Sequence, residues 1–554
     1  MARGSASLNF SGTADEERAP PDAADCYAAL FAPLDRLLCA GGDDRLSLIG
    51  QTGLNIYGCK SAPRPGTLSF SSSTASSISG RAYDHARDAQ LRLVEEAAVA
   101  GIVESFDLHI EQLRGSLRTF LGLEGSGAEI VFSPSGTDAQ VQALLLTGSY
   151  LGKPLTSVVV GSDQTGSGTA YTSGARHFGS RTARGKSVLK GSHIAAAMED
   201  FASIEIPFAV PDGSFRSMDE MDRLVVDAVA AEIHKGRTVL LQAMHASKFG
   251  WRAPSDVCLA HIADVWPSSV QIVVDACQMR LSPARIADFL TRGYLVLFTG
   301  SKFYGGPPLS GGLLIPKQIS DALAAARELP EGLCEYADYS DLPVTWAGMR
   351  RKLTRQPNFG QWLRWEAALE EICAYQALPI AYRKAVLAGL AYSIPDVLRS
   401  SPWLEPLPVP SSFCCDERFA DEFAAPTIFP FLIHDDNGAL EPDTVAEIHR
   451  ALNRNIAGEL GCAATPDELS LAAELCHVGQ PVRLTLPGGR ATAALRIAIG
   501  SRNLFEAWTS GTSDAAIAHI LADLTLVIRK LNLILKNRHP AGYPERAVEM
   551  SHGR

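Results

Sequence analysis

Seven short apolar runs, most of them separated by stretches with helical spacing, constrain this chain more than any other feature in it. They are EIVFS (129–133), TSVVVG (156–161), SIEIPF (203–208), TVLLQAM (238–244), VQIVVDA (270–276), YLVLFTG (294–300) and GGLLIP (311–316). Strands that are apolar on both faces must be covered on both faces, and parallel neighbours need helical crossovers. The pattern therefore predicts an α/β domain built on a large, mostly parallel, seven-stranded sheet with helices on both sides. At 554 residues and 46% hydrophobic content the chain has the apolar material for such a sheet and for more than one structural unit.

The flanks divide the rest. Residues 1–23 are polar, contain Pro20 and Pro21, and read as a mobile tail. Residues 24–100 read as a helical and loop segment: apolar spacing from Asp22 to Leu48 suggests helix, and SAPRPGTLSFSSSTASSISG (61–80) reads as a loop long enough to be functional. Amphipathic spacing predicts one or two helices over 84–121. The large α/β domain is expected over 101–360, closing with an irregular, charged stretch from Arg327 to Pro357. QWLRWEAALEEICAYQAL then predicts a connecting helix within 361–380. A smaller C-terminal α+β domain is expected over 381–545, with strands TIFPFLI and AALRIAIG and helices at 442–460 and 512–536, before a tail at 546–554.

Charge and composition remove several functions. With 50 Lys+Arg against 61 Asp+Glu the net charge is -11, so nucleic acid is not an expected partner. The 11 cysteines are scattered except for Cys414 and Cys415 and form no CxxC pair, which reads as reduced thiols in a cytoplasmic protein. No stretch is apolar enough for a signal peptide or membrane span, so no membrane partner is expected. The 13 histidines include no HExxH and no Cys/His cluster, so no metal is expected. GSRTARGKS (179–187) has five residues where a Walker A loop has four, and GSGAE (125–129) lacks the third glycine of a dinucleotide fingerprint.

In open α/β sheets, ligands sit beyond the carboxyl ends of the strands, and three strand ends carry chemistry. In EIVFSPSGTDAQ the chain passes through Ser135, Gly136 and Thr137 into a helix whose free N–H groups and dipole favour an anion such as phosphate; an ordinary helix cap is the plain alternative. In VQIVVDACQ, Asp275 ends an apolar strand, where a carboxylate needs a cation or hydrogen-bond donor or else caps the next segment. In YLVLFTGSKFYGGPP, Lys302 closes a strand before a sharp turn. There it can serve as a Schiff-base amine, against the ordinary alternative of a surface lysine.

These three features in this order resemble the fold-type I enzymes that use pyridoxal 5'-phosphate, and in detail the aminotransferase class V branch that includes cysteine desulfurases. The resemblance covers residues 100–320 well and the C-terminal part in patches. It implies that Lys302 binds the cofactor and moves the substrate α-proton, and that Asp275 pairs with the pyridine nitrogen. Gly136, Thr137 and Ser301 would hold the phosphate, with Ser135 and Thr299 beside them. Gln278 would lie near the phenolic oxygen, with Gln164 and Ser247 on the ring. Arg496 in AALRIAIG would bind the substrate α-carboxylate as a two-pronged donor, with Arg502 the alternative.

The resemblance implies a homodimer, with Arg350, Arg351 and Arg355 of the irregular segment as candidates for closing the partner's site. It also implies an enzyme that forms an external aldimine with an α-amino acid, an aminotransferase-like transferase. The alternatives are a lyase or a side-chain-replacing or carbon–carbon bond-forming enzyme and, further off, a non-catalytic cofactor-binding regulator.

Departures from the branch are equally informative. Gln164 stands where that branch stacks a histidine or aromatic ring, and His177 could substitute only if its loop folds back. Ser301 precedes the lysine where desulfurases have histidine, and Cys414, Cys415 and Cys476 are the only candidates for a sulfur acceptor, so a persulfide mechanism is disfavoured.

Overall fold

The computed structural model describes residues 23–152, 154–326, 328–408, 422–508 and 511–538. The first element of regular sheet is β1 (Thr67–Phe70), inside the stretch read from sequence as loop. The seven apolar runs then form β2 (Glu129–Ser133), β3 (Leu155–Val160), β4 (Ala202–Ile206), β5 (Thr238–His245), β7 (Val270–Asp275), β8 (Leu295–Thr299) and β9 (Gly311–Ile315). A two-residue strand, β6 (Arg252–Ala253), folds back on β5.

The order across this eight-stranded sheet is β2-β9-β8-β7-β5-β3-β4, with β6 off the β5 edge. β8, β7, β5, β3 and β4 run parallel, and only β9 and the short β6 oppose their neighbours. The parallel register pairs Asp275 with Met244 on one side and Leu297 on the other, so the carboxyl ends of β5, β7 and β8 meet at one edge.

Local chemistry explains where the covering helices begin. The helices Gly136–Leu151, Met218–His234, Asp256–Val265 and Pro283–Thr291 each start after a serine whose side chain accepts a first-turn backbone N–H. Each cap satisfies a donor that the helix itself cannot.

The second sheet collects β1, β10 (Leu404–Pro406), β11 (Ile428–Asp435), β12 (Gly438–Ala439), β13 (Leu475–Thr485) and β14 (Ala491–Ala498), in the order β1-β13-β14-β11-β10 with β12 on β11. β1 joins it in parallel to β13, from about 400 residues earlier in the chain. The sequence reading missed β13 because Gly479, Gln480 and Pro481 interrupt its pattern; the register shifts between Gly479 and Val482.

Between the two sheets runs the helix Phe359–Gln376, the connecting helix expected over 361–380. It is buried over most of its surface, and its buried polar side chains are paired: Gln361 with Asp341, Arg364 with the Leu309 carbonyl and Glu366 with Trp362 Nε1. Trp365 packs on the rings of Phe132 and Phe298, with centroids 5.9 and 5.3 Å away. One apolar cluster runs from Phe132 and Val274 through Trp362 and Trp365 to Phe431 and Ile497, so the two sheets share a core.

Two further expectations are corrected. Residues 22–48 are not one helix: Ala23–Leu30 and Leu34–Leu37 are separated at Pro33 and followed by a 3-10 turn at Asp44–Leu46. The 442–460 helix ends at Leu452, with a 3-10 turn at Ala457–Glu459. In the irregular segment, Arg350 is buried against Glu111 and the Tyr339 ring, the half-exposed Arg355 pairs with Asp107 and Glu104, and Arg351 is exposed. Among the described residues no helix is long and apolar enough to cross a membrane.

Candidate active site

The carboxyl edge of the large sheet opens into a cavity of ≈ 270 Å³, walled on its far side by β14 and by the serine-rich loop after β1. Ser135, Gly136, Thr137, Gln164, Ser247, Asp275, Gln278, Thr299, Ser301, Lys302 and Arg496 all line it. Arg502 does not: its guanidinium donates to the Ser77 carbonyl at 2.8 Å and faces Glu371 and Glu506 beside a different cavity. His177 is also absent from the wall, because its loop stays back and its Nδ1 lies 2.6 Å from the Tyr336 hydroxyl.

At the anion-binding end, Ser135 is the cap of the helix Gly136–Leu151, so the plain reading of this turn is correct as far as it goes. Its hydroxyl accepts from Asp138 N and donates to Asp138 Oδ2 at 2.5 Å. Burial pushes the Asp138 carboxyl up to about 7, with Asp43 adding to the rise and Arg45 and Ser135 opposing it. Gly136 and Thr137 lie in the first helical turn, whose N–H groups have no partner within the helix.

Backbone approach here is close enough to demand glycine. A Cβ on Gly136 would sit 2.7 Å from Cys277 Sγ, and one on Gly311 of β9 would sit 2.2 Å from the Ser135 carbonyl carbon. Gly311→Ala should therefore displace the 135–137 turn, at a cost of about 1 to 3 kcal/mol. The expected outcome is a lower Tm and faster loss of any anion held at this turn; a variant that matches the wild type in both would remove the turn from the site.

Deeper in, Asp275 Oδ1 accepts from Cys277 N at 3.1 Å and Oδ2 faces Gln140 Nε2 at 3.4 Å. Gln140 is aimed by the hydroxyls of Thr169 and Thr172, which both donate to its Oε1 at 3.1 Å. The Lys302 amine has no hydrogen-bond partner among the described residues. The turn behind it is fixed by Gly305 N to Lys302 O and Gly306 N to Gly300 O, at 2.9 and 3.0 Å. Thr299 gives its hydroxyl proton to Cys277 O at 2.7 Å.

On the cavity's flank, Ser247 donates to Gln164 Oε1 at 2.5 Å, which leaves the buried Gln164 Nε2 without an acceptor. Gln278 donates to Ser73 O and accepts from Arg280, so one amide hydrogen remains for a ligand. Backbone strain collects here as well. Of the four non-glycine residues with positive φ among those described, Ala246 and Leu309 line the cavity and Met279 follows Gln278.

Arg496 is buried, and burial lowers its guanidinium to about 9. It donates to Gln480 O and Thr74 Oγ1, both at 2.8 Å, and no carboxylate lies within 4 Å of it among the described residues. Among the described residues Cys277 is the only cysteine in the wall, and burial beside Asp275 pushes its thiol well above the ordinary range, the opposite of a nucleophile's tuning. Cys476 is buried in β13, with its thiol pushed up to about 11 by burial; Cys414 and Cys415 lie outside the described residues.

No family model matches the chain and no curated protein matches it. Among solved structures it is similar to a cystine C–S lyase, C-DES, with glycine linked to its pyridoxal phosphate, at 15% identity over 83% of this chain and 97% of that one, with a TM-score of 0.48. It is similar to a NifS-like protein at 15% identity over 84% and 99% of the two chains, with a TM-score of 0.46. A phosphoserine aminotransferase from Cytophaga hutchinsonii is 15% identical over 81% and 96%, with a TM-score of 0.44. Likenesses this distant decide nothing about chemistry, which rests on the residues of the cavity.

Arg45, Gln140 and Lys248 are among the wall residues not found from sequence. Arg45, on the 3-10 turn at Asp44–Leu46, is clamped by Asp43 and donates to Ser135 Oγ at 2.8 Å and Thr137 Oγ1 at 3.1 Å. Gln140 lies one turn into the helix behind Asp275, and Lys248 follows Ser247. Arg45 comes from a segment 90 residues upstream with no strand-end signature. The short SPSGTDAQ stretch does carry Gln140, at a position that faces the same end of the sheet.

Proposed function

We propose that the chain is a pyridoxal 5'-phosphate-dependent enzyme acting on an α-amino acid, a transferase of the aminotransferase type. The carrying observation is the convergence on one cavity of an unpartnered lysine at a strand end, a carboxylate two strand-ends deep and a glycine-built helix start. The wall suits that cofactor: Gly136 and Gly311 let Cys277 and β9 pack tightly against the 135–137 turn and so fix its backbone at the cavity, Gln164 Nε2 is a buried donor awaiting an acceptor, and Asp275 is oriented from two sides.

When bound, the cofactor supplies an electron sink for negative charge at the substrate's α-carbon. In this reading Lys302 holds it and carries the proton at that carbon, while Asp275 keeps a proton on the ring nitrogen. The N–H groups of Gly136 and Thr137, with Ser301 nearby, take the phosphate. Gln278, Ser247 and Gln164 would surround the ring, and Arg496, whose Nε and Nη2 donate to Gln480 O and Thr74 Oγ1 and whose Nη1 donates to Lys248 O, would offer the substrate carboxylate its buried charge and its remaining Nη1 hydrogen. A lyase or a side-chain-replacing enzyme would use the same residues. Incubating the protein with each common amino acid, following its absorbance and identifying products by mass, decides among them. No spectral response to any amino acid would overturn the proposal.

Arg45 extends the phosphate site. By tying Ser135 and Thr137 it sets both hydroxyls and adds a cation beside the helix start. Arg45→Met should weaken cofactor binding by about 1.5 to 3 kcal/mol, a 10- to 150-fold rise in Kd read by equilibrium dialysis. Unchanged retention would leave Arg45 a purely structural role.

We also propose a two-domain organisation near the 101–360 and 381–545 boundaries, a cytoplasmic setting and a homodimer. Leu48, Ile49 and Ile56 are exposed beside Arg45 and Tyr57 at the cavity, an apolar surface suited to a second copy. Light scattering of the active protein should give twice the 59.2 kDa chain mass; an active monomer would reject the dimer.

A further inference from the structure

The cavity holds one positive charge more than the proposed chemistry uses. Arg45 is matched by Asp43, while Lys302 and Arg496 have the cofactor and the α-carboxylate. Lys248 is left over. It sits immediately after Ser247 in the loop that follows β5 and lines both the main cavity and an adjoining one of ≈ 210 Å³, whose wall includes Ser162, Asp163, Ser167 and the exposed Glu205.

Among the described residues, its ammonium has no hydrogen-bond acceptor and no carboxylate within 4 Å. Asp163 acts on it from a distance, but the two Asp163 oxygens are already taken by Phe208 N at 2.8 Å and Ala209 N at 3.0 Å. Burial, joined by the positive charges of Arg496 and Lys302 and opposed by Asp163, lowers the Lys248 ammonium to about 8. A largely desolvated ammonium that faces a ligand cavity without a counter-ion is costly, and an incoming anion relieves that cost.

We infer that the amino-acid substrate carries a second anionic group and that Lys248 receives it. The inference rests on the reading of this cavity as an amino-acid site. With Arg496 taking the α-carboxylate, the Lys248 wall is where a side chain bearing a carboxylate or an equivalent anion would point. Lys248 thereby sets side-chain preference and takes no part in bond breaking.

The test titrates the holoenzyme with L-alanine, L-aspartate and L-glutamate and follows the cofactor absorbance. The better of the two acidic amino acids should bind about tenfold or more tightly than L-alanine. Lys248→Met should lower that ratio about tenfold, Lys248→Gln, run in parallel as a gentler change, should lower it too, and Lys248→Arg should keep most of it. A wild-type ratio near one, or an unchanged ratio in both neutral variants, overturns the inference and leaves the amino-acid site standing. Silence toward all three amino acids means that the amino-acid reading has failed and this inference with it.

Discussion

Asp275→Asn should lower turnover about 100- to 10,000-fold in a protein that still folds and still holds its cofactor. The substitution keeps the shape of the side chain, and Cys277 N can still meet the amide oxygen; only the long 3.4 Å contact from Gln140 Nε2 loses its acceptor, so the fold has little to lose. What goes is the negative charge that keeps a proton on the ring nitrogen. Breaking a largely desolvated charge pair from one side costs about 3 to 5 kcal/mol, which is two to four orders of magnitude in rate. Steady-state kinetics, with cofactor content measured alongside, check this. Activity within tenfold of wild type would assign Asp275 to capping the 276–278 turn alone.

Lys302→Ala should be more severe. The amine faces the cavity without a partner, so removing it leaves no buried acceptor stranded, and the change should leave Tm nearly unmoved. Turnover should fall about 10,000-fold, the upper end for losing a positioned proton-transfer group, with loss of the covalent attachment on top. The phosphate turn at 135–137 remains, so the variant should still take up cofactor, now without a covalent link. An active variant would place the proton transfer on another group, with Lys248 the next to test.

Much of this was legible in the sequence, for identifiable reasons. Six of the seven apolar-run strands were readable because each is buried on nearly its whole length and leaves an almost unbroken apolar run, whereas β4, at the edge of the sheet, alternates between exposed and buried residues. Their carboxyl ends carry Asp275 and Lys302, so the same runs located the site. The second sheet was harder. β1 is four residues long in a serine-rich stretch and is ordered only by pairing with β13, and β13 is interrupted by Gly479–Pro481. Pairing across about 400 residues leaves no local periodicity to read.

The misses in the site share that cause. Arg496, on an apolar strand, lines the cavity as expected, whereas Arg502, six residues on in the next helix, lines a different one because its direction depends on Ser77 and Glu371. Arg45 reaches the phosphate turn only through tertiary folding of the 41–57 segment. The 61–80 stretch is only partly loop: β1 runs through it, and Ser73, Thr74 and Ala75 in the loop that follows line the cavity.

The central claim is that Lys302 covalently holds pyridoxal 5'-phosphate, and borohydride reduction of the purified protein followed by peptide mapping tests it most directly. The account predicts loss of the yellow absorbance and a pyridoxyl label on the single peptide containing TGSKFYGGPP, at Lys302. A label on Lys248 or any other lysine, or no label on protein reconstituted with the cofactor, would contradict it.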